Sequence, residues 1–347
     1  MAALSEHGGT DRRELESLGL DESDVLDLSV NVNPLPWSAE IRAAFRSWDP
    51  RSYPDRTSLL ARRALAERFA VAGAQVVLGN GATELLWTLL DAIRPTAVTV
   101  IEPAFSELRT AALAKQIPCT QHRTDVLSDF SFPAIDSFAP DTVVYFAHPG
   151  NPLGAPADLE RVETWARRNP RTLFVADESF LNLSEDFDDL DRVLPSNVLR
   201  LRSLTKDFGL AGVRVGYMLA PASIVEAMET VRPPWTVNAL AQKLVLASLR
   251  SSDWLARARN ELCAARRQLV AKLDSAGFET LPSTTIYCMV RVGEGSRCKR
   301  FLLREHRIRV RDCASFGMPG WIRVAAREAQ THHRLLEALN DARRSSV

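Results

Sequence analysis

Four short apolar runs, residues 97–101, 142–147, 173–176 and 198–201, constrain the fold of this chain more than any other feature. Each is bounded by polar or turn residues. Runs of this kind suit strands of a parallel sheet that is buried on both faces. Helical patterns lie around them. Residues 58–69 carry Leu59, Leu60, Ala64, Leu65 and Phe69 at helical spacing, and 84–93 and 158–168 read as further helices. Strands alternating with helices predict right-handed crossovers and a layered α/β domain.

From about residue 224 the texture changes. Long helical patterns cover 224–231, 239–249 and 254–273, then strands are expected near 284–292 and 308–311, and a last helix over 328–342. This predicts a second, α+β unit, and 347 residues are enough for two packed cores. Residues 1–36 read as an arm, with a His7-Gly8-Gly9 loop, a short helical stretch at 12–19 and prolines that break 31–36. The expected organisation is an arm over 1–36, a large domain over 37–245 and a small C-terminal domain over 246–347.

Lys plus Arg and Asp plus Glu both number 43, so the formal net charge is zero. That argues against a general binder of nucleic acid or acidic membranes, which would carry a basic excess. Arginine is locally dense at Arg307, Arg309, Arg311, Arg323 and Arg327. A cluster in a neutral protein suggests a small anionic ligand, although most of these arginines read as a solvated strand edge. The five cysteines, Cys119, Cys263, Cys288, Cys298 and Cys313, are scattered with no C-x-x-C pair, as expected of reduced thiols. His332 and His333 read as surface residues of a polar helix, and no metal site is expected. Glu6, Asp11, Glu14 and Glu16 interrupt the N-terminal stretch and no apolar run nears the ~20 residues of a membrane span, so a cytoplasmic protein is expected.

Several polar segments fall at the C-terminal ends of the apolar runs, where open α/β sheets bind ligands. They are Glu102-Pro-Ala-Phe105, His148-Pro-Gly-Asn151-Pro-Leu-Gly154, Asp177-Glu-Ser-Phe180 and Ser203-Leu-Thr-Lys206. A further segment, Gly79-Asn-Gly81-Ala82-Thr83-Glu84, puts glycines before a helix whose first N–H groups can cradle a phosphate; a simple N-cap by Thr83 is the alternative. It lacks the third glycine of a dinucleotide fingerprint and the lysine of a P-loop. Asp177 at a buried strand end needs a cation or donor, which a protonated ring nitrogen would supply. Lys206, in a turn before Gly209-Leu-Ala-Gly212-Val-Arg214, is either a Schiff-base nucleophile or an ordinary surface lysine.

The order of these segments is more specific than any one of them. G-N-G-A-T-E, P-x-F, N-P-x-G, D-E-x-F, S-x-x-K and G-x-R-x-G-Y follow one another along nearly the whole chain. In this the chain resembles the fold-type I pyridoxal-phosphate enzymes of aminotransferase class I/II. The resemblance implies an aspartate-aminotransferase-like fold, a large mainly parallel α/β/α domain plus a smaller α+β domain. It implies that Lys206 carries pyridoxal 5′-phosphate as a Schiff base, that Asp177 pairs with the pyridinium nitrogen and that Asn151 binds the ring 3-oxygen. Phe105 would stack on the ring, and Gly81, Ala82, Thr83, Ser203 and Arg214 would hold its phosphate. Tyr53 would reach the phosphate of a neighbouring subunit, which implies a homodimer. Members commonly have Tyr where Phe180 stands; Phe180 removes a donor to the ring 3-oxygen and leaves Asn151 with more of that task.

Two stretches narrow the branch: His7-Gly8-Gly9 followed by Leu28-Ser29-Val30-Asn31-Val32-Asn33-Pro34-Leu35, and Arg309-Val-Arg311-Asp312-Cys313-Ala-Ser315-Phe316-Gly317 leading to Trp321-Ile-Arg323. They resemble the threonine-phosphate decarboxylases of cobalamin biosynthesis, and less closely their sister family, the histidinol-phosphate aminotransferases. By that resemblance Arg323 binds the carboxylate of a small phosphorylated amino acid, and Arg311, His7 and Asn31 contact its phosphate. Two anionic groups on one small molecule need two cationic clamps. Thr10 stands where the decarboxylases usually have Asn or Asp, and Pro36 where they often have Gly. Decarboxylation is the expected reaction, with transamination of histidinol phosphate or a related amine as the alternative. A non-enzymatic cofactor-binding scaffold is disfavoured by the intact Lys206, Asp177 and Arg214.

Overall fold

The computed structural model describes residues 8–126, 130–135 and 137–345. Contacts divide the chain into two compact units. One comprises Met1–Asn31, Asn151–Ala155 and Arg259–Val347; the other comprises Val32–Gly150 and Pro156–Ala258.

The larger unit is built on a seven-stranded sheet. Its order is Val76–Gly79, Gly216–Leu219, Val198–Ser203, Leu173–Asp177, Thr142–Ala147, Ala97–Glu102 and Cys119–Arg123. Six strands run in one direction, and Gly216–Leu219 runs opposite to them. The four apolar runs of the sequence are the four central parallel strands. Their side chains alternate between two buried faces, which is why they show no polar side. Val143, Tyr145, Val175 and Leu199 pack with Leu85, Leu86 and Leu89 of helix Ala82–Ile93. Val144, Phe146, Phe174 and Ala176 pack on the opposite face with Val162 and Trp165 of helix Leu159–Arg168.

Three strands of the larger unit were not expected from periodicity. Val76–Gly79 and Cys119–Arg123 are short edge strands, and Gly216–Leu219 lies inside the G-x-R-x-G-Y segment. That last strand matters for the site. Gly216 pairs with Gly79 on one side and with Ser203 on the other. It thereby brings the glycine loop and the Lys206 turn to one edge of the sheet.

The smaller unit holds a three-stranded antiparallel sheet, ordered Arg311–Asp312, Trp321–Ala325, Tyr287–Arg291. Its core gathers Leu269, Leu273, Cys288, Val290, Ile322, Val324, Leu335 and Leu339. Leu26–Asp27 adds a parallel pairing with Ile308–Arg309, so the segment expected as one strand at 308–311 serves two sheets and breaks at Val310. His332, expected at the surface, is buried in helix Ala329–Arg344 beneath that core, whereas His333 is exposed. Four of the five cysteines are buried as free thiols. Among the described residues no helix is long and apolar enough to cross a membrane.

One buried ionic cluster ties the central strands together. Glu178 receives Arg202 Nε and Arg200 Nε, each at 2.7 Å, and all three side chains are largely shielded from water. Removing one member leaves the others uncompensated. Glu178→Ala is therefore expected to destabilise the larger unit by about 3–5 kcal/mol, read as a lowered thermal midpoint. An unchanged midpoint would show that the two guanidinium groups find other acceptors.

Candidate active site

The glycine loop ends strand Val76–Gly79 and opens helix Ala82–Ile93 with Gly81 as its N-cap, at φ 82°. No side chain caps the helix, so the Thr83 N-cap considered above is not formed. Instead Glu84 folds back, accepting from Asn80 N–H at 3.1 Å and from Thr88 Oγ1 at 2.9 Å. The first helical N–H groups of Ala82 and Thr83 are thus left to an outside acceptor. A Cβ on Gly81 would lie 3.0 Å from Arg214 Cζ, and one on Gly216 would lie 2.7 Å from the Ala82 nitrogen. Glycine at both places lets a guanidinium and a helix N-terminus converge. Such a cradle suits a phosphate dianion. Ser203, beside it, shares a 2.6 Å hydrogen bond with Thr205, a hydroxyl that the sequence reading did not single out.

Asp177 closes strand Leu173–Asp177 and is buried. Its Oδ2 accepts from Tyr145 Oη at 2.5 Å and its Oδ1 from Ser179 N–H at 3.0 Å. Burial raises its pKa, against the lowering effect of those two bonds and of the Lys206 charge. Tyr145 sits on the neighbouring strand, two residue pairs from Asp177 in the register, so only the strand pairing reveals it. Burial beside Asp177 holds its phenol well above the usual range, so it remains a donor. An oriented carboxylate of this kind matches a protonated pyridine nitrogen.

Lys206 lies in the single turn Leu204–Asp207 that follows strand Val198–Ser203. Three further hydrogen bonds fix that turn. Asn33 donates its Nδ2 to the Asp207 carbonyl at 2.8 Å, and its N–H to the Lys206 carbonyl at 3.0 Å. Asn182 donates to Asp207 Oδ2 at 2.6 Å. Asp207 is buried next to the lysine, and desolvation pushes its carboxyl up to about 7, although Asn182, Arg202 and Lys206 pull it down. Phe105, after strand Ala97–Glu102, is half-buried, Phe180 is buried, and Tyr53 is 83% exposed with its ring 5.4 Å from Trp235.

In the smaller unit Arg323 is 5% exposed and reaches three neutral oxygens. It donates to Asn151 Oδ1 and, at 2.6 Å, to the Ser29 carbonyl. With its amide oxygen turned toward the guanidinium, Asn31 accepts from Nε at 3.1 Å and Nη1 at 3.3 Å. Arg311 is the cross-strand partner of Arg323 and is also buried; it donates to Ser315 Oγ at 2.7 Å and lies over the Phe316 ring. These arginines are therefore not a solvated strand edge. Arg309 too is buried, and only Arg307 stands at the surface. The alternation of the strand could not show this, because the covering layer is the N-terminal segment, remote in sequence. His7 lies outside the described residues.

Two expectations follow. Tyr145→Phe removes a donor to Asp177 and should weaken pyridoxal-phosphate affinity about tenfold, measured by absorbance titration of the apoprotein; wild-type affinity would assign the phenol to packing alone. For Asp207 the folded pKa lies above the ordinary 3.8. The folded chain then holds more protons than the unfolded one, so stability is greatest below that ordinary range and declines as pH rises toward about 7. Asp207→Asn should flatten the dependence of thermal midpoint on pH across this interval, and a wild-type slope would refute the assignment.

Residues 23–339 match the model of the family described as aminotransferase class I and II. The chain is 31% identical to histidinol-phosphate aminotransferase 2 of Ralstonia nicotianae, covering 93% of this chain and 90% of that one. It is 25% identical to the adenosylcobalamin biosynthesis bifunctional protein CobDQ of Leptospira interrogans, over 97% of this chain and 41% of that protein. Among solved structures, L-threonine-O-3-phosphate decarboxylase from Porphyromonas gingivalis superposes with a TM-score of 0.76 at 20% identity, covering 90% of this chain and 98% of that chain. The phosphate cradle and the buried, oriented carboxylate both fit the family's cofactor. The chain belongs to the aminotransferase class I and II family and is a pyridoxal-phosphate enzyme of the aspartate-aminotransferase-like fold.

Proposed function

We propose that this protein decarboxylates a phosphorylated amino acid, with L-threonine O-3-phosphate as substrate and (R)-1-aminopropan-2-yl phosphate as product. The observation that carries the reading is the pairing of Arg311 with Arg323 directly across an antiparallel ladder, both buried. Like charges opposite one another destabilise a sheet, and burial adds a desolvation cost. A ligand with two anionic groups relieves both. A phosphorylated amino acid carries a carboxylate for Arg323 and a phosphate for Arg311, with Asn31 and His7 completing the phosphate end.

Pyridoxal phosphate, when bound, takes up the electron pair released as a bond at the substrate α-carbon breaks. Lys206 would hold it covalently, Asp177 would pair with its ring nitrogen and Asn151 with its ring oxygen. Phe105 would cover the ring, and Gly81, Ala82, Thr83, Ser203 and Arg214 would hold its phosphate. Arg323 orients the carboxylate; the hydrogen bonds it already makes spread its charge over neutral oxygens, so the carboxylate is gripped without being stabilised strongly in the ground state. As the bond from Cα to the carboxylate breaks, carbon dioxide leaves and Lys206 Nζ delivers a proton to Cα. The exposure of Tyr53 supports its assignment as an arm that reaches the cofactor phosphate of a second copy in a homodimer.

Transamination is the second reading, favoured by the relatives named as histidinol-phosphate aminotransferases at 30–32% identity. The two are separated by incubating the holoenzyme with L-threonine O-3-phosphate and no keto acid. Catalytic release of carbon dioxide is expected. Turnover that requires 2-oxoglutarate and consumes histidinol phosphate would overturn the decarboxylase reading. Arg311→Ala should raise KM for the phosphorylated substrate about a hundredfold, and affect its unphosphorylated analogue far less; equal losses would remove Arg311 from the phosphate site.

A further inference from the structure

The smaller unit contains a relay that no step above uses. It begins at Arg309, 2% exposed, on the strand Ile308–Arg309. Arg309 donates from Nη1 to the Gly9 carbonyl at 2.9 Å and from Nη2 to Glu14 Oε2 at 3.1 Å. Glu14 belongs to the helix Arg12–Leu18, and its other oxygen lies 3.7 Å from Lys299 Nζ. Gly9 N–H in turn donates to Ser29 Oγ at 2.9 Å. A Cβ on Gly8 would stand 2.5 Å from the Ser29 carbonyl oxygen, so the backbone there lies directly against that group. Ser29 is itself pinned by Asp27 Oδ1, which accepts from its N–H at 2.7 Å and its hydroxyl at 2.6 Å. The Ser29 carbonyl is the acceptor for Arg323 Nη2.

We propose that Arg309 and Glu14 are positioning residues for substrate carboxylate recognition: they clasp residues 8–18 onto Ser29, and the covered Ser29 carbonyl sets the orientation of Arg323. The inference rests on the reading that Arg323 binds the substrate carboxylate. Its physical content is simple. A carbonyl shielded by the Gly8 backbone offers its lone pairs to Arg323 without competition from water. If residues 8–18 lift away, water reaches that carbonyl, Ser29 loses the Gly9 donor, and one of the anchors of the guanidinium loosens. Carboxylate binding weakens, while Lys206 and Asp177, which belong to the other unit, keep their surroundings.

A tie that served only stability would lower the thermal midpoint and leave ligand preference alone. The clasp predicts a change in preference. Glu14→Gln keeps the size of a half-buried side chain and removes its charge, so it tests the clasp even where Arg309→Gln fails to fold. Holoenzyme variants are titrated with L-threonine O-3-phosphate and with 1-aminopropan-2-yl phosphate, its counterpart without the carboxylate, following the absorbance of the bound cofactor. Tryptic cleavage after Arg12 and Arg13 reports release of the segment. Cleavage should be about fivefold faster or more, and the carboxylate ligand should bind about tenfold more weakly, with the carboxylate-free ligand changed less than about twofold. In turnover the loss should fall on KM, not kcat. Unchanged cleavage overturns the clasp. Faster cleavage with equal losses for both ligands, or none, overturns the link to Arg323. Arg323→Lys is the control: if it weakens both ligands alike, the carboxylate role of Arg323 is wrong, and the inference falls with it for that separate reason.

Discussion

A buried carboxylate must be met by hydrogen-bond donors or a cation, and Asp177 imposes that condition on the larger unit. Its pKa is raised by burial, and its hydrogen bonds from Tyr145 and Ser179 leave it oriented but not neutralised. The family's cofactor offers a cation in its protonated ring nitrogen, the partner proposed for Asp177. The strand pairings follow from this need. Tyr145 must occupy the strand beside Asp177, and the Lys206 turn must leave the strand on its other side. Gly216 must be bare so that the glycine loop at Gly81 and Ala82 can close against the same sheet edge.

The smaller unit presents the same problem with the sign reversed. Arg311 and Arg323 are buried opposite each other, and burial lowers the pKa of Arg323 while the Arg311 charge adds to the effect. The protein compensates with carbonyl and amide oxygens, which stabilise a guanidinium without cancelling its charge. This differs from the treatment of Arg200 and Arg202, which share the buried carboxylate of Glu178 and so have a partner of opposite charge. What each buried arginine donates to is a better guide to the proposed anion site than arginine density along the chain.

That contrast also explains what the sequence could and could not disclose. The four central strands were legible because burial on both faces leaves continuous apolar runs. Lys206 was ambiguous within its own segment and became clear only through its place in an ordered series. Tyr145, Asn33, Asn182 and Asp207 were not identified, because each acts through a neighbour fixed by strand pairing or by a turn remote in sequence. Arg309 and His332 were misjudged for a related reason: a polar residue on a short strand or helix looks solvated until the layer that covers it is known. Gly216–Leu219 escaped notice because it is short and opens on a glycine, and one of its two pairing partners, Val76–Gly79, lies far upstream in sequence.

Phe180 gives the last constraint its weight. A phenol at that position could donate to the cofactor's ring oxygen, and a phenyl ring cannot. The proposed donor is then the amide of Asn151 alone. Its orientation is not left to chance: Arg323 binds the amide oxygen, which turns the amide nitrogen away from the guanidinium and makes it the donor that remains. Under the proposed roles, one guanidinium thus serves two ends of the chemistry. A carboxylate arriving at Arg323 would compete for the charge that holds Asn151, so substrate binding would itself adjust the proposed amide bond to the ring oxygen. A tyrosine in place of Phe180 would share that bond and blunt the adjustment. Under the same roles, the missing hydroxyl at Phe180 would couple carboxylate recognition to the electronic state of the cofactor through Asn151.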